Sequence, residues 1–298
     1  MMAAPQIFDN ALLARRADRV AARATEHDFL LSRVADDLAE RLEIVQRSFA
    51  VALDLGAHHG VLGRRISSLG PNKVGRVISL ERSARLLQSC SGEKVLGSED
   101  LLPFADGSLD LVVSGLSLHL VNDLPGTLVQ IRRALKPDGL LLAAMLGGST
   151  LQELREAWLL AEDDVLGGAS PRVAPFGDVR DLGGLLQRAG YALPVVDADV
   201  VRATYASPLA LMRELKSMGA SNMLSARRRV PVTRGLVARA CEIYVERFGI
   251  DNGRVPATFE ILTLTAWVPH ESQQRPLRPG SAKARLADAL GVNETKLR

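Results

Sequence analysis

Asp54, Gly56 and Gly60 stand two and four residues apart within VALDLGAHHGVLGRRI, the stretch from Val51 to Ile66. A short apolar run leads into the acid, and the residues after the second glycine read as a helix. Strand, tight turn and helix N-terminus in that order gather backbone N–H groups around an anionic or polar ligand. Glycines let the backbone pass close to that ligand, and Ala57 is the small residue beside the first of them. A second acid, Glu81, closes the run VISLE and offers two acceptor oxygens to a pair of neighbouring hydroxyl donors. Farther on, SEDLLPF supplies Ser98 and Glu99 as polar contacts, with Leu101 or Leu102 as apolar walls, and Ser114 ends DLVVS. A dinucleotide fingerprint starting at Gly56 needs glycine at positions 58 and 61, which are His58 and Val61. Asp54 also lies inside the strand, so nicotinamide dinucleotide chemistry is disfavoured. No GK[ST] follows the turn, which excludes a P-loop.

The five histidines are His27, His58, His59, His119 and His270. None has the HxD or HxE pairing of a two-histidine, one-carboxylate iron site, and no metal is expected. His119 follows the run ending in Ser114. Two readings stand for it: a base or acceptor-positioning group, or a structural histidine bonded to a loop carbonyl. Asn122 and Asp123 read as helix-cap residues.

These residues need a scaffold, and the apolar pattern describes one. From Phe8 to about Phe49, apolar residues recur at three and four, an amphipathic helical prelude. Apolar runs then alternate with helical stretches, the signature of a parallel α/β sheet. Strands are expected at Ala50–Leu55, Val77–Glu81, Lys94–Leu96, Leu109–Ser114, Leu140–Met145, 193–204 and Ala257–Trp267. A helix with Leu124, Leu128, Ile131 and Leu135 on one face starts after Asp123, and Pro137 with Gly139 stops it. Thr150 and Glu153 suggest a capping box, and a further helix ends at Gly190. A long helical stretch, about 207–249, interrupts the last two strands, with LMRELKSMGASN (Leu211 to Asn222) as a lid or as ordinary core. The expected organisation is a helical arm over 1–48, a ligand-binding domain over 49–206 and 257–270, an inserted helical cap over 207–256, and a poorly packed tail over 271–298, its Pro-, Gly- and Arg-rich part from about Ser272.

Asp-x-Gly-x-x-x-Gly at a first strand, with an acid ending the second, is the layout of S-adenosylmethionine sites in class I methyltransferases. On that layout Asp54 accepts near the methionine ammonium, and Gly56 and Gly60 bring N–H groups to its carboxylate. Glu81 takes both ribose hydroxyls, and SEDLLPF lies against adenine. The expected fold is α/β, a Rossmann-like class I methyltransferase sheet of seven strands with the last antiparallel, N-terminal helices and a late helical insertion. Ser98 stands where such sites often carry an acid. His58 replaces a usual glycine, and three readings stand for it: a hydrogen bond to the cofactor carboxylate, a ring that narrows the pocket, or a solvent-pointing ring. The solvent-pointing ring, with little effect on binding, is the one adopted.

LDLGAHHG, LLPFADGSLDLVVSGLSLHLVNDLPGTLVQIRRALKPDGLLLAAMLGGSTLQELR, DLGGLLQRAGY and VPATFEI with ESQQRP together resemble one methyltransferase-like family. It is that of the mitochondrial NADH dehydrogenase (complex I) assembly factor and its bacterial relatives, which is similar in turn to the malonyl-carrier-protein O-methyltransferase of biotin synthesis. The resemblance runs from IFDNALLARRADRVAA to about Pro276. It implies S-adenosylmethionine as cofactor, a protein acceptor such as a respiratory NADH dehydrogenase subunit, and a matching role for His119. It also implies that the reaction is methylation or the arginine hydroxylation linked to the mitochondrial factor. An O-methyltransferase acting on a small acid or carrier protein, and a binding-only assembly chaperone, are the alternatives.

Composition fits a globular enzyme: 47% apolar, 24% charged and 4% aromatic residues. A net charge of +3 on 37 basic and 34 acidic residues is too balanced to imply a nucleic-acid partner. The basic run Arg227 to Arg229 reads as a solvated helix end or loop. Cys90 and Cys241 are far apart and form no CxxC, which fits a reducing compartment. No secretory signal, transit peptide or apolar run long enough to span a bilayer is evident, and a cytoplasmic location is expected.

Overall fold

The computed structural model describes residues 6–274 and 291. All of the expected tail beyond Gln274, save Gly291, lies outside the described residues.

Seven strands form one sheet in the order β3-β2-β1-β4-β5-β7-β6. They are β1 (Phe49–Leu55), β2 (Val74–Glu81), β3 (Glu93–Leu96), β4 (Leu109–Gly115), β5 (Leu135–Leu146), β6 (Ala192–Tyr205) and β7 (Val255–Trp267). β1 to β5 run parallel, and β7 is antiparallel to both β5 and β6. This is the seven-stranded sheet with a reversed last strand that the sequence predicts. The helices are α1 (Asn10–Val20), α2 (Phe29–Ile44), α3 (Val61–Ser67), α4 (Ala84–Gln88), α5 (Leu124–Ala134), α6 (Gln152–Leu166), α7 (Val179–Arg188), α8 (Pro208–Ser217) and α9 (Arg234–Phe248).

Period-two alternation decides which side chain meets which layer. Leu111, Val113, Leu140 and Leu142 face one core with Leu38 of α2, Leu62 of α3, Leu154 of α6, Leu211 of α8 and Tyr244 of α9. Their neighbours Val112, Leu141 and Ala143 face the other core with Leu128 and Ile131 of α5 and Leu182 and Leu186 of α7. The central strands are buried on both faces, so they read as continuous apolar runs rather than alternating ones. The inserted helices α8 and α9 share their core with α2 and α6.

Caps set several helix starts. Asp9 accepts from Leu12 N in α1, Asp123 from Gly126 N in α5 and Asp178 from Asp181 N in α7. The expected capping box at Thr150 and Glu153 does not form. Leu151 precedes α6 in a left-handed conformation (φ 53°), and both side chains turn to β7 instead. Thr150 Oγ1 donates to Glu260 O and accepts from Glu260 N, and Glu153 accepts from Thr258. β5 also begins earlier than expected, at Leu135, because its pairing with β4 resumes across a register shift between Leu109 and Leu111.

The strand order reverses between β1 and β4. Loops leaving the carboxyl ends of those strands splay apart there, which opens a crevice.

Candidate active site

Leu55 leads into the turn. Gly56 (φ 70°) and Ala57 both donate to Leu80 O at 2.9 Å, which binds the turn to the end of β2. A Cβ on Gly56 would come within 2.2 Å of Ser117 Oγ and 2.7 Å of Glu99 Oε1. Glycine is therefore required both by conformation and by crowding. Gly60 (φ 80°) stands at the start of α3 against Cys90.

Asp54 lies beneath this turn rather than on its open side. It is fully buried, and Oδ2 accepts from Gly63 N at 2.9 Å, which ties β1 to the first turn of α3. Oδ1 has no hydrogen-bond partner among the described residues. Burial pushes the carboxyl up to about 7, opposed by the Gly63 bond and by Arg64.

Glu81 sits on the open side. Oε2 accepts from His58 N at 2.8 Å and Oε1 from Ser83 N at 2.9 Å, so each oxygen keeps acceptor capacity for a ligand. Burial and the neighbouring Glu99 raise its carboxyl to about 7. Glu99 is buried and paired with Arg82, whose Nε is 3.1 Å from Oε2. Arg82 Nη1 is left without a partner among the described residues.

These groups border a cavity of about 420 Å³ at the crevice. Gly56, His58, Glu81, Glu99 and His119 line it. Ala57, Gly60 and Ser114 lie with Asp54 in the supporting layer, Ser114 Oγ donating to Leu55 O at 2.8 Å and meeting Ser117 Oγ at 2.9 Å. Ser98 bonds Asp100. Leu101 is 75% exposed and off the wall, and Leu102 packs against the second core.

The ring of His58 does not point to solvent as expected. It lines the cavity, Nδ1 is buried without a partner among the described residues, and burial with His59 beside it pushes the imidazole down to about 4. A positive φ of 52° turns the residue inward, and its backbone N–H is held by Glu81. His59 is engaged elsewhere, with Nε2 3.1 Å from Asp28 Oδ2.

His119 reaches the cavity after β4 and stacks edge-on to Phe176 at 5.5 Å. Its Nδ1 accepts from Leu146 N at 3.4 Å. Burial pushes the imidazole down to about 3, so the ring is neutral and its hydrogen resides on Nε2. Asn122 is not a helix cap. Its side chain accepts from Phe8 N at 2.8 Å and donates to Phe8 O at 3.2 Å, holding the segment before α1 against the cavity mouth.

Much of the rest of the wall comes from Phe8, Leu13 and His27 of the N-terminal arm, from Trp158 and Phe176, and from Met218 to Leu224 after α8. The stretch LMRELKSMGASN, read from sequence as a lid or as ordinary core, supplies Met212, Leu215 and Met218 to Asn222 of this wall. Among the described residues, no group of three or more His, Cys, Asp or Glu converges at metal-binding spacing, and no helix is long and apolar enough to cross a membrane.

A reversed last strand, a crevice at the β1/β4 switch and a glycine turn above it define a class I methyltransferase fold, and residues 53–143 match the methyltransferase domain family. A putative methyltransferase from Bacillus halodurans superposes with a TM-score of 0.55 at 15% identity, over 79% of this chain and 100% of that one; at that identity it speaks for the fold alone. Sequence comparison goes further. Arginine-hydroxylase NDUFAF5, mitochondrial, of Danio rerio is 38% identical over 295 residues, 97% of this chain and 91% of that protein. The malonyl-[acyl-carrier protein] O-methyltransferase of Halorhodospira halophila is 34% identical over 278 residues, 91% of this chain and 92% of its own length. The chain belongs to the NDUFAF5 family of class I methyltransferase-fold proteins.

Proposed function

We propose that the cavity binds S-adenosylmethionine and that the protein modifies a protein side chain during maturation of respiratory NADH dehydrogenase. The carrying observation is Glu81: a carboxylate on the wall at the end of β2, held by two backbone N–H groups and still able to accept from a ribose diol. The surrounding residues fit such a cofactor. The volume lies within the range of roughly 300–1,000 Å³ common to small-molecule sites, and unpartnered nitrogens of His58 and Arg82 stand at the wall to meet its polar groups.

When bound, the cofactor supplies an electrophilic methyl group, so alignment of the acceptor is the chief remaining demand. The turn at Gly56 and His58 borders the cofactor, and Glu81 orients it. His119 serves as an acceptor-positioning donor through Nε2, since a ring with so low a pKa is a poor base. Apolar walls from Phe8, Leu13 and Met223 exclude water. Two free thiols, Cys90 and Cys241, support a reducing compartment such as the cytoplasm.

Calorimetric titration with S-adenosylmethionine and its demethylated product tests the cofactor. Mass spectrometry of NADH dehydrogenase subunits incubated in air with protein, cofactor and an added two-electron reductant tests the reaction, a methyl increment marking transfer and an oxygen increment hydroxylation by dioxygen. Similarity to the O-methyltransferase of Halorhodospira halophila supports a second reading, esterification of a malonyl-carrier protein, which the same assay decides. Absence of cofactor binding would leave only a binding chaperone.

A further inference from the structure

A third histidine lines the cavity, beside His58 and His119, and its polarity is opposite to that of His119. His27 lies between the 3₁₀ turn Ala21–Glu26 and α2, and its ring lines the wall. Its Nδ1 is 3.0 Å from Glu214 Oε2 on α8. A carboxylate oxygen only accepts, so Nδ1 donates and the neutral ring carries its free lone pair on Nε2. That Nε2 is buried and has no partner among the described residues. In the neutral ring this is an unmet buried acceptor, which is unfavourable and which a ligand donor satisfies. His119 is built the other way round, with a backbone N–H at Nδ1 and the hydrogen on Nε2.

We propose that His27, oriented by Glu214, is a substrate-contacting residue that accepts a hydrogen bond from the acceptor group. It thereby selects a side chain bearing N–H donors over a free carboxylate. Asp28, beside it on the wall and 3.1 Å from His59 Nε2, adds a negative group that disfavours a carboxylate acceptor. Glu214 is a positioning residue: it fixes the tautomer without touching the substrate. The inference rests on the cavity being the cofactor and acceptor site.

The test uses the full chain with histidine isotope-labelled, saturated with S-adenosylhomocysteine at about pH 8, above the usual imidazole range. His27→Gln identifies the His27 signals by their disappearance, and Glu214→Gln supplies a second variant. The expected spectrum has hydrogen on His27 Nδ1 and a lone pair on Nε2. Methylguanidinium, the probe, shifts Nε2 whereas acetate does not, and Glu214→Gln mixes the tautomers and weakens the probe about tenfold. Hydrogen on Nε2 in the parent, a response to acetate instead, or no response to either probe overturns the inference. Calorimetry on the same samples separates the two levels. Cofactor binding with the wrong tautomer overturns this inference alone, whereas no cofactor binding by the parent overturns the reading of the cavity and this inference with it.

Discussion

Burial raises both acids of the motif to about 7, but one is sealed inside and the other borders the cavity, and their variants should part. Asp54 is sealed below the turn with one oxygen unpartnered, so ionising it in the folded state costs free energy. Its folded pKa of about 7 lies above the usual 3.8, so between those values the folded protein holds the proton more tightly than the unfolded chain. Stability from this group is therefore greatest at low pH and declines as pH rises to about 7. Asp54→Asn keeps an oxygen for Gly63 N and removes the slope. The variant should gain on the parent between about pH 5 and pH 8, by up to about 3 kcal/mol in urea unfolding; equal pH slopes would refute the burial argument. Its cofactor affinity should stay within about threefold of the parent, because a bond inside the protein is kept. Glu81→Ala, by contrast, should weaken binding by about 1–3 kcal/mol in calorimetry, since ribose donors lose their acceptors. Spacing in the sequence marked both acids but gave no depth. Which one faces the ligand depends on the course of the turn after Gly56 and on the positive φ of His58, for which the only sign was a histidine standing where such loops usually carry glycine.

At the level of elements, the strands and most helices were legible because each is a local period, whereas the pairing that holds the N-terminal arm over the cavity was not. The segment before α1 pairs with residues some two hundred positions later. Asp9 N donates to Met223 O at 3.0 Å, Ser225 N to Ile7 O at 2.8 Å, and Arg227 pairs with Asp9 at 3.1 Å. Such pairing leaves no periodic trace, and the basic run beginning at Arg227 gave no sign that its first member is an anchor. Thr150 and Glu153 failed for a related reason: β7 competes for their side chains and wins. Phe8 is 3% exposed and sits between this strap and the cavity, packed with Leu13 and Leu224. Phe8→Ala should destabilise by about 3 kcal/mol, in line with other buried aromatic truncations. It should also release bound cofactor about tenfold faster in stopped-flow displacement, because the strap loses its anchor. An unchanged release rate with reduced stability would make the strap structural only.

Across the whole molecule, the cavity wall joins Phe8 of the arm, Glu81 of β2, Phe259 of β7 and Met212 of α8, so the cavity exists only when the arm, the sheet and the inserted helices are all in place. Trp158 of α6 lines the cavity, while Trp267 ends β7 in the sheet, and both pack against the same core. Binding energy spent at the cavity should therefore reach the sheet undiminished. S-adenosylhomocysteine near a hundredfold over its Kd should stabilise the fold by about 2.7 kcal/mol. In a chain of 298 residues that raises Tm by roughly 4–5 °C. NADH should give no shift, since the turn lacks the dinucleotide glycines. Trp158→Phe leaves Trp267 as the sole indole and Trp267→Phe leaves Trp158. Fluorescence melts of the two variants should show equal cofactor-induced shifts, the mark of one cooperative unit. A shift confined to the Trp158 reporter would mean that the cavity wall melts apart from the sheet, and that the arm and inserted helices form a separately stable layer over it.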